Sequence, residues 1–207
     1  MSKREARLAR QAALEAKKGR NQRIRLGAIG GVAVVVVVGI VWFAASRSQP
    51  PPASSVPLAD VVVTEIDVPN EGAGHIPVGQ RASYTHFPPS SGPHWSQAAL
   101  APVTWGFYTQ PVEPEQWVHN LEHGGVVVLY NCAEDCPETV EGLQRFAAQV
   151  PNSRFGTQKI VVSPNAEIET KIVALAWTRE MDLSDFDEAR LVEFYKRWVD
   201  TGPEQVP

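Results

Sequence analysis

Apolar and polar positions follow three regimes along this chain. Twenty uncharged, mostly apolar residues run unbroken from Leu26 to Ala45 (LGAIGGVAVVVVVGIVWFAA). At the helical rise per residue this run spans about 30 Å, the thickness of a bilayer's hydrocarbon core, and it predicts a single transmembrane helix. A cleaved signal peptide is the competing reading, because Ala44-Ala45-Ser46 offers small residues, but its apolar core would be only about 7–15 residues long. Ser46 to Pro57 has no apolar periodicity and is rich in Pro and Ser, which predicts an extended spacer. From residue 58 to residue 207 short apolar runs and helical stripes return, over a length usual for one domain.

Within that domain the clearest strand is Val126 to Tyr130 (VVVLY), an unbroken apolar run behind Gly124-Gly125 that suits a strand buried on both faces. Val61 to Ile66, Lys159 to Ser163 and Ile172 to Trp177 read as further strands, with a helix as the alternative for the last because Glu169 to Trp177 contains no breaker. A helix is expected over Pro137 to Val150, which opens with Pro and Glu. A second is expected over Asp185 to Val199, behind a capping-box-like Ser184-x-x-Asp187, with Phe186, Ala189, Val192, Tyr195 and Val199 as its buried stripe. The expected fold class is α+β: one compact domain with a small mixed sheet and two main helices, behind one N-terminal transmembrane helix. Between Gly72 and Trp117 seven prolines break regular structure, while seven aromatics from Tyr84 to Trp117 supply apolar surface. That combination predicts an ordered loop region of functional kind.

Charge fixes the orientation. Residues 1 to 25 carry nine Lys or Arg against two Glu, a net +7, whereas residues 47 to 207 carry ten basic against 21 acidic residues, a net −11. Positive-inside then keeps the N-terminus cytoplasmic and places the domain outside, at the plasma membrane, with the bilayer as partner of residues 26 to 45. The acidic domain offers no footprint for nucleic acid, and Gly74, Gly79 and Gly92 build no phosphate-cradling pattern for a nucleotide.

All five histidines, His75, His86, His94, His119 and His123, fall within 49 residues of that loop region and its edge. His119 and His123 are four apart, so one helical turn puts both rings on one face, a spacing by which helices present two nitrogen ligands to one metal. Ser91-Gly92-Pro93-His94 is a tight turn that could aim a third imidazole, and Glu122 could be a ligand or fix a histidine tautomer. The cofactor this predicts is a copper or zinc ion. The competing reading is a structural cluster in a partner-binding envelope domain, with each ring braced by carbonyls or carboxylates. His119 to His123 also matches H-x-x-E-H, a metallopeptidase pattern, but Gly124-Gly125 would cut its helix off after one turn. Ser91 lies outside any G-x-S-x-G elbow.

Cys132 and Cys136 form C-x-x-x-C before Pro137, and outside the cell a stapling disulfide is expected of them. A thiol-redox couple, or a mixed site with the histidines, is the alternative, since a helix N-terminus lowers a thiol's pKa. YNCAEDCPETVEGL is similar to a segment of the thioredoxin-like copper chaperones of cytochrome oxidase. Those proteins place their ligand histidine well after the cysteines, and no histidine follows His123 here. Met181 beside Leu183 reads as core filling.

Through SYTHFPPSSGPHW at 83 to 95, GFY at 106 to 108 and WVHNLEHGGVVVLY at 117 to 130, the chain resembles the bacterial family of domain of unknown function 3105. VALAWTREMDL and TGPE, at 173 to 183 and 201 to 204, extend the resemblance over about residues 70 to 204. It implies that His75, His94, His119, Glu122 and His123 occupy family-typical positions and that His86 does not. The family name carries no function.

Overall fold

The computed structural model describes residues 61–132 and 136–207. The basic segment 1–25, the expected transmembrane helix 26–45 and the spacer 46–57 lie outside them. Among the described residues no helix is long and apolar enough to cross a membrane.

Among the described residues eight strands and three helices follow in the order β1 (Val63–Asp67), β2 (His75–Ile76), β3 (His94–Trp95), β4 (Gly106–Phe107), α1 (Pro114–Glu122), β5 (Val126–Tyr130), α2 (Pro137–Gln149), β6 (Ile160–Pro164), β7 (Ile172–Ala176), β8 (Arg179–Leu183) and α3 (Glu188–Trp198). Six strands form one mixed sheet in the order β1-β8-β7-β5-β6-β4, and β2 and β3 form a separate parallel ribbon. In the main sheet β4, β6 and β5 run parallel, while β7, β8 and β1 join antiparallel. The class is α+β, as expected, with three helices rather than two.

The apolar run of β5 sits at the centre of this sheet, fully buried. Because side chains alternate across a sheet, Val126, Val128 and Tyr130 enter one core with Leu143 and Phe146 of α2 and Leu191, Phe194 and Tyr195 of α3. Val127 and Leu129 enter a second core on the opposite face, against Trp117, Val118 and Leu121 of α1. Fully buried aliphatic or aromatic side chains contribute about 1.5–3 kcal/mol each, so the two apolar layers clamp the sheet from both sides. Met181 lies in the first core, as core filling.

Three local expectations are corrected. The last helix is capped by Asp187, whose side chain accepts the Arg190 N–H, and not by Ser184, whose hydroxyl instead accepts the Val62 N–H at 2.9 Å. Of its expected stripe Tyr195 is buried and Phe186, Val192 and Val199 pack, partly buried, against the same core, whereas Ala189 is exposed and Leu191 and Phe194 are buried instead. The strand expected over Ile172 to Trp177 is borne out as β7, and the correction lies after it, where the unexpected strand β8 returns as the second arm of a hairpin with Ala176 opposite Arg179. Thr178 makes that turn at φ 60°, a conformation uncommon outside glycine, and is held by the Val68 N–H on its carbonyl. The third correction is α1, a nine-residue helix where only a turn was expected.

Candidate metal centre

Helix α1 builds the site. Pro114 suits its first turn, where a missing N–H costs nothing, and Gln116 Oε1 accepts the Glu113 N–H at 3.1 Å. Gly124, at φ 74°, ends the helix immediately past His123, as the two glycines predict. Trp117, Val118 and Leu121 face the sheet, while Glu115, His119, Asn120 and Glu122 are also buried, beneath the loop region. Each of those polar side chains has its partner there. Glu115 accepts from the Ala82 N–H at 2.9 Å and from Arg81 at 3.0 Å. Asn120 pairs with both the N–H and the carbonyl of Val103 at 2.9 Å. Trp117 Nε1 donates to the Pro89 carbonyl at 3.1 Å.

The proline-rich loop region is therefore ordered by side chains of one helix, and it returns two histidines to it. In the β2–β3 ribbon His75 stands directly opposite His94, and their rings are 5.0 Å apart. Gly92 makes the turn before β3 at φ 118°, where a Cβ would come within 3.0 Å of the Tyr84 ring. Tyr84 in turn donates its hydroxyl to the Pro93 carbonyl at 2.7 Å.

Four candidate ligand atoms converge as a result: one each from His75, His94, His119 and Glu122, all within 4.8 Å of one another. Glu122 Oε2 lies 3.0 Å from His94 Nε2, 3.6 Å from His75 Nε2 and 3.9 Å from His119 Nε2. Ligand atoms arranged tetrahedrally around zinc, at bonds of about 2.0–2.1 Å, stand about 3.3 Å apart. The three distances straddle that value. His94, His119 and Glu122 are buried, and His75 is half exposed at the mouth.

The outer nitrogens decide the chemistry. His94 Nδ1 lies 2.9 Å from the Gly92 carbonyl and His119 Nδ1 lies 2.7 Å from the Trp95 carbonyl. A carbonyl only accepts, so each Nδ1 carries the proton, and in the neutral ring each Nε2 presents a lone pair inward. This outward N–H to a backbone carbonyl is the arrangement that orients metal-ligating histidines. For His94 it sets a lone pair against a carboxylate oxygen, two acceptors that only a proton or a cation between them reconciles.

Burial pushes the His119 imidazole from 6.5 down to about 4, against the Trp95 carbonyl, which pulls it up; the charges that His123, His94 and His75 would carry push it further down. Burial lowers His123 as well, against Glu204 and Glu122. Both rings are thereby held neutral, the form that binds a metal. In the metal-free protein the unfolded chain takes up a proton at His119 below about pH 6.5 and the folded chain does not until about pH 4. Stability is then full above pH 6.5 and falls as pH falls toward 4, by at most about 3 kcal/mol from this group. Urea midpoints at pH 7 and pH 4.5, in chelator, should differ in that direction; equal midpoints would refute the assignment.

His123 does not join the first four. Its Nε2 lies 3.1 Å from His119 Nε2 and 3.2 Å from Glu204 Oε2, and it belongs to a second group with Glu122 and Glu204. The spacing of four does put both rings on one side of α1, but it does not bring them into one ligand group as a peptidase pair would. Glu204 was marked in the sequence only as the end of TGPE, within the family resemblance, and not as a candidate ligand, because it stands far along the chain in the terminal segment. That segment is tied across the end of α1: Asp200 N–H donates to the Gly124 carbonyl at 2.8 Å and Glu204 N–H to the Glu122 carbonyl at 3.0 Å. Gly202 permits this approach, since a Cβ there would lie 2.4 Å from the Glu122 carbonyl oxygen. Behind His123, the buried Lys159 ammonium reaches the His123 carbonyl at 2.9 Å, the Val206 carbonyl at 2.6 Å and Asp200 at 3.0 Å.

His86 is elsewhere, 2.6 Å from the buried Glu180 carboxylate of β8, and takes no part in the cluster. Cys132 and Cys136 stand at disulfide distance, with Cα atoms 5.8 Å apart and Cys136 capping α2. Among the described residues neither cysteine belongs to a candidate ligand group.

Fold and site together define an α+β domain with a buried histidine and glutamate cluster that could hold a metal ion. The model of the family described as Protein of unknown function (DUF3105) matches residues 75–207, more than half of the chain and every residue of the cluster. The chain belongs to that family. No curated protein and no solved structure matches it.

Proposed function

We propose that the domain binds a divalent transition-metal ion, zinc or copper, through His75, His94, His119 and Glu122. The observation that carries this is the pair of backbone carbonyls that fix the Nδ1 protons of His94 and His119 outward, leaving both Nε2 atoms aimed at one buried carboxylate. Three imidazoles and a carboxylate form a borderline donor set that suits zinc and copper(II), and the absence of sulfur from the group disfavours copper(I). The half-exposed His75 marks the side from which an ion enters. Residues 26 to 45 hold the domain outside the plasma membrane, a reading supported by their uncharged length and the nine basic residues before them.

One observation favours a second reading. His94 Nε2 and Glu122 Oε2 are at hydrogen-bond distance, so a protonated His94 would make a buried ion pair, and the cluster would brace a structural envelope domain without metal. Elemental analysis separates the two. The full-length chain, purified from the membrane fraction, is expected to carry at least one equivalent of zinc or copper, or to take it up after chelation. A chain that stays metal-free under titration with either ion would leave only the ion-pair cluster, and recovery in the soluble fraction would overturn the anchor.

A further inference from the structure

Glu122 belongs to both candidate ligand groups, and this shared carboxylate has a chemical consequence. A carboxylate has two oxygens and can bridge two ions about 3.5–4 Å apart. One group joins it to His75, His94 and His119; the other joins it to His123 and Glu204. The two groups meet where His119 Nε2 and His123 Nε2 approach to 3.1 Å, their rings edge-on at 4.5 Å between centroids. Two neutral imidazole nitrogens that close can share one proton. Once an ion takes the His119 lone pair, His123 loses that acceptor and its Nε2–H is left facing Glu204, 3.2 Å away; a second ion on this nitrogen takes the place of the proton, which passes to Nδ1 of the same ring.

Glu204 is no stray surface acid. Its own N–H is bonded to the carbonyl of Glu122, the bridging residue, and the Gly202 approach to the same carbonyl locks the segment in place. The fold therefore fixes the two carboxylates of the second group relative to each other through one peptide carbonyl.

From this juxtaposition we infer that the site is dinuclear: Glu122 bridges a tightly held ion on His75, His94 and His119 and a second, more weakly held divalent ion on His123 and Glu204. This rests on the metal-binding reading above. The first ion has four protein ligands in a largely buried site. The second has three, in a site where Glu204 is half exposed, and so it binds second and leaves first.

The test is titration of the chelator-treated full-length chain with cobalt(II), followed by calorimetry and magnetic spectroscopy. The parent is expected to take two equivalents in two steps, with magnetic coupling between the ions that reports a shared bridge. Glu204→Gln should keep the first step and weaken the second by about 10-fold or more. One equivalent, unchanged by Glu204→Gln, would overturn the dinuclear centre and leave the single-ion site standing. Two uncoupled equivalents would overturn the bridge. No uptake at all would overturn both readings. The coupling is read on the parent, so it decides the matter even if Glu204→Gln fails to fold.

Discussion

His94→Ala is expected to bind zinc or copper about 100-fold more weakly than the parent, or worse. Structural zinc sites with four ligands yield apparent binding energies of about 10–16 kcal/mol, so one ligand accounts for about 3 kcal/mol, or two decades of affinity. His94 is the ligand whose loss should be felt most. It is fully buried, its Nδ1 is anchored on the Gly92 carbonyl, and its backbone is paired in the β2–β3 ribbon. Binding is readable as stability. Metal at about 100 times its dissociation constant stabilises the native state by about 2.7 kcal/mol, which for a domain of this size raises Tm by about 5–11 °C. The parent should show that rise on metal addition and His94→Ala should not. His86→Ala is the internal control, because His86 contacts Glu180 and not the cluster, and it should keep the parent's metal-induced rise. An equal rise in parent and His94→Ala would remove His94 from the ligand set, and with it the case built on its tautomer.

Lys159→Met should destabilise the protein by about 3–5 kcal/mol, the cost of leaving a buried charge without its partner. Methionine fills the same channel but removes the ammonium that joins three acceptors: the carbonyls of His123 and Val206 and the carboxylate of Asp200. The ammonium also lies 4.3 Å from the centre of the Phe155 ring, so a cation–π contact goes with it. Asp200 pins the terminal segment to Gly124 and to the Arg154 N–H at 2.8 Å, so its loosening should release Glu204 from the end of α1. Denaturant midpoints measure the loss. A second substitution, Asp200→Asn, should recover part of it in the Lys159→Met background, because the stranded charge is then gone. A loss below about 1 kcal/mol, with no recovery in the double variant, would show that the ion pair contributes little.

Where the sequence was informative, local chemistry was sufficient. The run VVVLY could only be a strand buried on two faces, and it lies at the centre of the sheet. Pro137 opened a helix because a proline loses nothing in a first turn. Helix α1 was not legible, because its upper face carries Glu115, His119, Asn120 and Glu122, polar residues that are buried and partnered by a loop distant in sequence. Burial on both sides erases the apolar stripe on which helix recognition depends. Strand β8 was hidden for a different reason. Its polar residues resemble a loop, and its turn rests on Thr178, held by hydrogen bonds from outside the hairpin and not by a glycine.

The histidine cluster divides in the same way. By itself the sequence determined which residue types were concentrated, that His119, Glu122 and His123 share the end of one turn, and that Gly124 stops it. Those are properties of neighbours along the chain, fixed by helical geometry and backbone freedom. Only the tertiary structure decided that His75 and His94 meet Glu122 while His86 goes to Glu180, that two carbonyls orient the rings, and that Glu204 returns to join Glu122 in a second group. Apart from the Gly92 carbonyl, two residues before His94, these are contacts between segments 24 to 94 residues apart, set by strand pairing, loop anchoring and the close approach allowed at Gly202, and no local pattern encodes them.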